Sequence, residues 1–487
     1  MNHTLFIALG YIVFTVYTCG IMYLGTVFEK KTNWDKEICR KLTHIISAFV
    51  WVIMQTFFGC TIHWVILNAV GTVALGFVTF GNLMDTYSRE DADKSYGLFY
   101  FGLSTCIVAL ITYLLGESYY LYAGVAYFCL ALGDGFAPIV AKLCKKHNVT
   151  IMPGRSLIGS LTVFIVSGLT VAVFSALFHM ELDPLFIVSV AALTCIAEFY
   201  GIKGCDNLLI EFMVYGYLLL YAFGMVSRLL QIVIIVTPII AFLAIRFKAL
   251  SVSGGIAAMI FIFALAFFAE RSVDVIYTAV IFLSVSVTSK ISKKFSGKKE
   301  ETSKKKSGRN GYQIAGVGLW ALVAIILSHI FKTKFFYILF FLSLAEQFSD
   351  SMASDIGSIT KKKNIDIITF KPIEKGLSGG VSVLGTLCAL AGAFGILLIP
   401  YAVSLVTIKQ YVVLSLLAFV GTMVDSVLGS VLQALYLCKE CGAKTEHPEH
   451  CNKKALRLKG FEIIDNVSVN LISGFVTCIL GGLFLLV

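Results

Sequence analysis

The chain has 487 residues, of which 58% are apolar and only 14% charged, and its mean hydropathy is +0.87. Soluble proteins keep about a quarter of their residues charged, so a soluble globular fold is excluded. The formal charge of +10 is gathered into a few short stretches, which makes it a signal of membrane topology rather than a nucleic-acid surface.

The first apolar run, residues 5–27, has no basic leader and no small-residue cleavage site, and reads as a membrane span. Further runs begin near His44, Ile62, Leu98, Tyr119, Leu157, Leu185, Leu208, Ile232, Gly254, Val273, Tyr312, Phe335, Gly379, Tyr411 and Val467. Each approaches the roughly 20 residues that cross a hydrocarbon core of about 30 Å. The expected fold is therefore all-α, a polytopic integral membrane protein of about 16 transmembrane helices. Basic stretches fall at 30–41, 142–155, 290–309, 361–375 and 439–459. Alternate threading puts all five on one side, which the positive-inside tendency makes cytoplasmic. The 290–311 stretch has the Lys/Ser/Glu composition of a solvated loop. The thirteen cysteines are scattered, many in apolar runs, and look like small buried hydrophobes rather than a disulfide framework.

Internal repetition is visible in four ordered matches. The run from Arg40 through His44 to Trp51 lies over the run from Arg309 through Gln313 to Trp320. Leu132-Gly-Asp134 with Lys145-Lys146 lies over Phe348-Ser-Asp350 with Lys361-Lys362. Gly154-Arg-Ser-Leu-Ile-Gly-Ser160 answers Lys375-Gly-Leu-Ser-Gly-Gly380, and Glu198 with Asp206-Asn207 answers Asp425 with Asp465-Asn466. Two diverged parallel repeats of about 8 spans follow, with residues 1–227 as the first domain and 228–487 as the second.

Asp134 follows an apolar run and precedes Lys142, Lys145, Lys146 and Arg155. A carboxylate offers hard oxygen to Mg²⁺, and cations hold the remaining phosphate oxygens. Gly159 and Ser160 open the next span, where backbone N–H groups can meet an anion. The second half repeats the theme with Asp350 and Asp355, then Lys371, Lys375 and the run from Gly376 through Ser378, Gly379 and Gly380 to Ser382. Two acids five apart lie about 140° around a helix, so either the helix breaks or each takes a different partner. Asp425 interrupts an apolar run, and Asn466 and Asn470 begin the last span. Acids in such surroundings are costly to place without a function.

Cys438, Cys441, His447, His450 and Cys451 put five metal-binding side chains within a short loop, 438–451. Four of the five suffice for a tetrahedral zinc site. No P-loop and no strand-linked dinucleotide fingerprint occurs, so any nucleotide is held by a membrane-edge site.

Arg40-Lys41 with His44, Ser95-Tyr-Gly97, Gly133-Asp134-Gly135, Ser156 with Gly159-Ser160, and Glu198 with Asp206-Asn207 resemble the phytol kinase and dolichol kinase group of membrane CTP-dependent lipid kinases. From about Ala249 onward the chain resembles the membrane family that includes phytyl-phosphate kinase. The run Asp350-Ser-Met-Ala-Ser-Asp355, the run 376–382, Asp425-Ser-Val-Leu-Gly429, and Asn466 with Asn470 carry that likeness. Together the two resemblances imply a fusion of consecutive steps, in which an isoprenoid alcohol becomes a monophosphate and then a diphosphate.

The implied cofactors are Mg²⁺, held by Asp134, Asp350, Asp355 and Asp425, and CTP or ATP. The expected phosphate contacts are Arg40, Lys41, Lys142, Lys145, Lys146, Arg155, Ser156, Gly159, Ser160, Asn207, Arg309, Asn310, Gln313, Lys371, Lys375, Gly376, Ser378, Gly379, Gly380, Ser382, Asn466 and Asn470. His44, Asp134, Glu198, Asp206, Asp350, Asp355 and Asp425 are the expected catalytic set. An alcohol must lose a proton to attack phosphorus, whereas a phosphate monoester is already an anion. In the ungapped register His44 of the first copy meets Gln313 of the second, which cannot act as a base. A cytidylyltransferase making a CDP-lipid, or a duplicated transporter, is the alternative reading.

Overall fold

The computed structural model describes residues 3–31, 35–81, 96–144, 148–152, 154–201, 204–295, 308–360, 363–374 and 376–487. Ser95, Lys145, Lys146, Lys361, Lys362, Lys375 and most of the 290–311 loop lie outside them. The chain divides into two compact units, Met1–Val236 and Thr237–Val487.

The first unit opens with α1 (His3–Lys31), α2 (Lys36–Ser47) and α3 (Phe49–Phe57), the last two meeting at Ala48 to form one rod. Next come α4 (Ile62–Gly81) and α5 (Gly97–Leu115). A single rod is then built from α6 (Tyr120–Phe128), a π-helical turn (Cys129–Asp134) and α7 (Gly135–Leu143). A short hairpin, β1 (Thr150–Met152) and β2 (Arg155–Ser156), leads to α8 (Leu157–Leu177), α9 (Pro184–Tyr200) and α10 (Cys205–Ala222). The division between units falls inside α11 (Arg228–Arg246).

The second unit continues with α12 (Val252–Phe268), α13 (Ser272–Phe295), α14 (Gly311–Phe331) and α15 (Lys334–Gly357). A three-stranded sheet of β3 (Asn364–Asp366), β4 (Pro372–Ile373) and β5 (Gly380–Val381), in the order β4-β3-β5, precedes α16 (Val383–Ala402) and α17 (Ile408–Val431). Five short strands follow: β6 (Leu435–Leu437), β7 (Lys444–Thr445), β8 (Glu449–His450), β9 (Lys453–Lys454) and β10 (Leu456–Lys459). The last helix is α18 (Asn466–Leu486).

Sixteen helical rods result among the described residues, most of them beginning within four residues of an apolar run, although the second begins at Lys36 rather than near His44. Twelve are long and apolar enough to cross a membrane. The others are shorter, as are α9 and α12, or are diluted by polar residues, as is α15. The short strands were not expected; β1–β2 follow the α6–α7 rod, β3–β5 follow α15, and β6–β10 follow α17.

Packing repeats in the last five rods of each unit. The α6–α7 rod lies against α5, α8 and α10, with α8 on α9, α9 on α10 and α10 on α5. In the second unit α15 lies against α14, α16 and α18, with α16 on α17, α17 on α18 and α18 on α14. Ser156 caps α8 through Gly159 N and Ser382 caps α16 through Gly385 N, so Ser156 answers Ser382. The register that set 154–160 over 375–380 is therefore shifted, and Arg155 answers Val381. The Arg40 and Arg309 runs do not correspond either. Helix α2 packs on the π-turn and α7, whereas α14 takes the place of α5 against the last helix.

The central rod of each unit is buried nearly all round, as expected of a helix enclosed by others. In α15 every residue from Tyr337 to Ser349 is buried. In the first unit small residues permit the close approach: a Cβ on Gly135 would run into Ile45 of α2, and one on Gly133 would stand 2.7 Å from Ser167 Oγ. Gly135→Ala is expected to destabilise the protein by about 1–3 kcal/mol through overpacking, with Ile45→Ala in the same chain recovering part of the loss. Thermal unfolding in detergent measures both.

Candidate functional site

Asp134 closes the π-turn, seventeen residues or about 26 Å beyond Glu117, where its apolar span begins. It therefore lies inside a continuing rod, not at a helix end. Pro138 sits four residues later and has no N–H to give the Asp134 carbonyl. Lys41 Nζ donates to Asp134 Oδ2 at 2.5 Å, and His44 Nε2 lies 3.6 Å from the same oxygen. Lys41 and His44 are three apart on α2, so one helical face presents both. Asp134 is 3% and Lys41 5% exposed, so the pair is shut off from bulk water.

Arg155, at the start of β2, donates to Glu198 near the end of α9, to Asp206 Oδ2 at 3.0 Å and to the Gly201 carbonyl at 2.8 Å. Gly201 lets the end of α9 meet the start of α10, because a Cβ there would strike the Asp206 backbone. Glu198 and Asp206 are as buried as Asp134. Arg40 donates to Glu37 at 2.7 Å and lies within electrostatic reach of Asp134 and Asp206. The result is one compact cluster in which Lys41 meets Asp134, Arg155 meets Glu198 and Asp206, and Arg40 meets Glu37. Three polar atoms in it are buried without a hydrogen-bond partner: His44 Nε2, Glu198 Oε2 and Asn207 Oδ1. Asn207 spends its amide nitrogen on Gly97 O.

Lys142, expected beside Asp134, instead pairs with Asp35 at 2.6 Å on the surface. That ammonium holds the Asp35 carboxyl below its ordinary range. Sequence reading missed Glu37, and it missed Glu211, which is buried on Ser104 at 2.5 Å. It also missed Asn148, which ties α7 to α8 through Ala141 O and Ile158 N. Glu211 has its partner distant in sequence and Asn148 lies in a loop, whereas Glu37 meets Arg40 one turn along α2. Ser160 Oγ, on the first turn of α8, is buried without a partner.

In the second unit α15 runs unbroken through both acids, and each takes its own surroundings. Asp355 Oδ2 lies 3.5 Å from Thr288 Oγ1 of α13, while Asp350 interacts with Arg309, Asp355 and Asp425. Glu346, one turn before Asp350, is fully buried and joins the cluster. Ser473 Oγ lies between two acids, 3.0 Å from Glu346 Oε1 and 3.2 Å from Asp425 Oδ2, with one proton to give to either. The Asn470 amide, turned to donate, reaches Asp425 Oδ2 at 3.0 Å. Among the described residues no Lys or Arg makes an ion pair with Glu346, Asp350 or Asp425. Arg309 is held nearby by backbone bonds to Ala249 O and Ser251 N.

Gln313 and Asn310 form the capping box of α14, so Gln313 does not stand where His44 stands. Asn466 is exposed, and Lys371 lies on the surface. The glycine-rich loop is partly structural. Gly379 has φ +83° and packs on Ser430, and Asp366 pins the loop through Ser430, Thr369 and Ile368 N. The Ser378 backbone N–H donates to Glu446 Oε1 at 2.6 Å.

Among the described residues, the only set of three or more His, Cys, Asp or Glu ligands with atoms mutually within 4.8 Å is Cys438, Cys441, His450 and Cys451. His447 is not in it. The backbone N–H of Cys441, aided by His450, pulls the Cys438 thiol down to about 6. The carboxylates Asp350, Asp355 and Asp425 thus form no preassembled cage. Mg²⁺, however, needs only one or two carboxylates beside phosphate oxygens and water. Glu198 Oε2 in the first unit and the Asp350–Asp425 pair in the second fit that demand.

Fold and sites together define a polytopic helical membrane protein with polar clusters two-thirds of the way along its central rods. Residues 235–478 match the family described as integral membrane protein DUF92, and the chain belongs to that family. It is similar to an uncharacterized membrane protein of Synechocystis sp., at 34% identity over 91 residues, 19% of this chain and 35% of that protein. It is also similar to protein PGR of Arabidopsis thaliana, at 33% over 143 residues, 27% of this chain and 48% of that protein. A third relative, an uncharacterized membrane protein of Methanocaldococcus jannaschii, is 27% identical over 201 residues, 41% of this chain and 82% of its own. The chain spans about a third and about half of the length of the first two. No solved structure matches.

Removing Lys41 strands a buried carboxylate, which costs about 3–5 kcal/mol. Lys41→Met is therefore expected to lower the unfolding temperature more than the double variant Lys41→Met/Asp134→Asn, measured by thermal unfolding in the same detergent.

Proposed function

We propose that the chain is a bifunctional membrane kinase. Its first unit phosphorylates an isoprenoid alcohol to the monophosphate, and its second unit converts the monophosphate to the diphosphate. CTP or another nucleoside triphosphate is the donor, Mg²⁺ the cofactor, and both sites face the cytoplasm. The observation that carries a lipid acceptor is an apolar hollow of about 460 Å³ lined by Trp51, Phe128, Leu132 and one face of α8 from Val166 to Leu177. That face is about 16 Å long. Leu132 belongs to the same π-turn as Asp134, so a prenyl tail lying in the hollow brings its head group to the polar cluster.

The cluster suits phosphoryl transfer because each of its cations and carboxylates has a stand-in partner. Lys41 and Arg155 would exchange carboxylate oxygens for phosphate oxygens, and the carboxylates thereby released, Asp134 and Glu198, would hold the metal. Mg²⁺ supplies neutralisation of charge on the transferring phosphate. His44 Nε2, which has no hydrogen-bond partner, takes the hydroxyl proton. The alcohol oxygen bonds to the terminal phosphorus as the bond to the nucleoside diphosphate breaks, and the diphosphate leaves.

In the second unit the acceptor is a phosphate monoester with a second pKa near 6, so no base is required. The cluster of Glu346, Asp350, Asp425, Asn470 and Ser473 offers acids, a hydroxyl and an amide. Such a set is suited to hold a divalent cation between an acidic wall and an anionic acceptor.

Purified protein incubated with labelled CTP or ATP and a panel of prenyl alcohols and monophosphates is expected to release nucleoside diphosphate. Asp134→Asn should block alcohol phosphorylation and spare the second step, while Asp350→Asn should accumulate monophosphate. Release of pyrophosphate would instead indicate a CDP-lipid cytidylyltransferase, and diphosphate formed from alcohol at the normal rate by both variants would end the proposal. His44→Gln is expected to slow the first step about 10²- to 10⁴-fold, the usual range for a lost general base, and to leave the second step unchanged. Kinetics on the two acceptors separately checks this.

A further inference from the structure

We infer that Cys438, Cys441, His450 and Cys451 bind one Zn²⁺, and that the metal locks the loop carrying Glu446 onto the glycine-rich run before α16. This inference is independent of the kinase reading. The first argument is spacing. Zinc bonds thiolate at about 2.3 Å and imidazole at about 2.0–2.1 Å. Tetrahedral angles then place two sulfurs about 3.8 Å apart, and a sulfur and a nitrogen about 3.6 Å apart. Cys441 Sγ and Cys451 Sγ are 3.8 Å apart, and His450 Nδ1 lies 3.4 and 3.3 Å from them. Cys438 Sγ completes a quartet whose ligand atoms all lie within 4.8 Å of one another. Three thiolates and an imidazole are the soft and borderline donors that select zinc over Mg²⁺ or Ca²⁺.

The backbone is shaped for the same end. Cys438-Lys-Glu-Cys441 is followed by Gly442 at φ +68°, whose N–H donates to Cys438 O at 2.9 Å, while Cys438 N donates to Ala443 O at 2.9 Å. This tight turn delivers two thiols to one side. The hairpin of β8 and β9 delivers the other two ligands, with Cys451 at φ +52° and Asn452 at φ +59° forming its turn. A two-residue hairpin turn with both central φ positive is favourable in twist, but cysteine is not a residue that adopts it cheaply. The strain, of order 1–3 kcal/mol, aims the Cys451 sulfur at its partners. Lys453 bridges to Glu440 at 2.7 Å and ties the two arms together.

Between the arms lies Glu446. Its carboxylate takes the Ser378 backbone N–H at 2.6 Å and lies within electrostatic reach of Asp425. A metal that fixes both ends of the 438–451 loop therefore fixes Glu446 on a backbone donor of the run 376–380. The loop acts as a latch on that run.

Full-length protein purified in detergent and washed with a weak chelator is expected to carry one zinc per chain by elemental mass spectrometry. Cys441→Ser and His450→Ala should lose it, and His447→Ala should retain it. Hydrogen exchange gives the second readout. Cys441→Ser, and Glu446→Gln with its zinc intact, should each speed exchange at Ser378 at least tenfold relative to the parent. Absence of zinc from the parent, a Cys441–Cys451 disulfide in its place, equal zinc loss from His447→Ala and His450→Ala, or unchanged exchange at Ser378 would overturn the inference.

Discussion

Lys41 and Asp134 belong to rods ninety-three residues apart in sequence, and their contact is what holds α2 against the π-turn at the centre of the first unit. A bare charge at the middle of a membrane helix costs at least about 2.5–3.5 kcal/mol on the mildest scales, so Asp134 is tolerable only with a partner at hand. Several local features serve that requirement. Gly135 clears room for Ile45, and α2 sets Lys41 and His44 on one face. Arg155, arriving from a loop, performs the same service for Glu198 and Asp206 together. Each of these buried acids has a cation bonded to it, which is the condition under which a charged ligand can replace internal partners without leaving a buried charge unpaired.

The second unit uses the same rods to a different electrostatic end. Asp350 sits sixteen residues into α15, nearly the depth of Asp134 in its rod, but its neighbours are Asp425, Glu346 and the hydroxyl and amide of Ser473 and Asn470. Val381 stands in the position equivalent to Arg155, and among the described residues Arg309 lies within electrostatic reach of Asp350. A group of acids lacking bonded cations is neutralised either by protons or by a bound cation. On the proposed reading this difference follows the acceptors: a neutral alcohol meets resident cations, and an anionic monoester meets a site that must recruit a metal.

The helical architecture was legible because apolar runs of membrane length are long, repetitive signals; most rods start within a few residues of a run, while the polar first two turns of α2 precede the run at His44. Asp134, Glu198, Asp206, Asp350 and Asp425 stood out for the same reason in reverse, as acids in apolar surroundings. Which cation meets which acid was not legible. Lys142 is closer in sequence to Asp134 than Lys41 is, but it follows the rod outward and pairs with Asp35 at the surface. Gln313 looked like the counterpart of His44 in an ungapped register, although Asn310-x-x-Gln313 is also the pattern of a capping box, and that is its role. Glu446 gave no signal, because its partner is a backbone N–H supplied by a loop sixty-eight residues earlier.

The π-turn at Cys129–Asp134 has a mechanical meaning as well as a chemical one. Each residue of an α-helix advances the direction of its side chain by about 100°, and a widened turn inserts a phase slip into that clock. The portion of the rod before it meets α3, where a Cβ on Gly124 would strike Trp51, and the portion after it meets α2, where a Cβ on Gly135 would strike Ile45. Helix α15 carries no such slip, and its Glu346 and Asp350 stay on a single stripe. Each central rod thus indexes its acid through its own main chain, by a widened turn in one and an unbroken helix in the other.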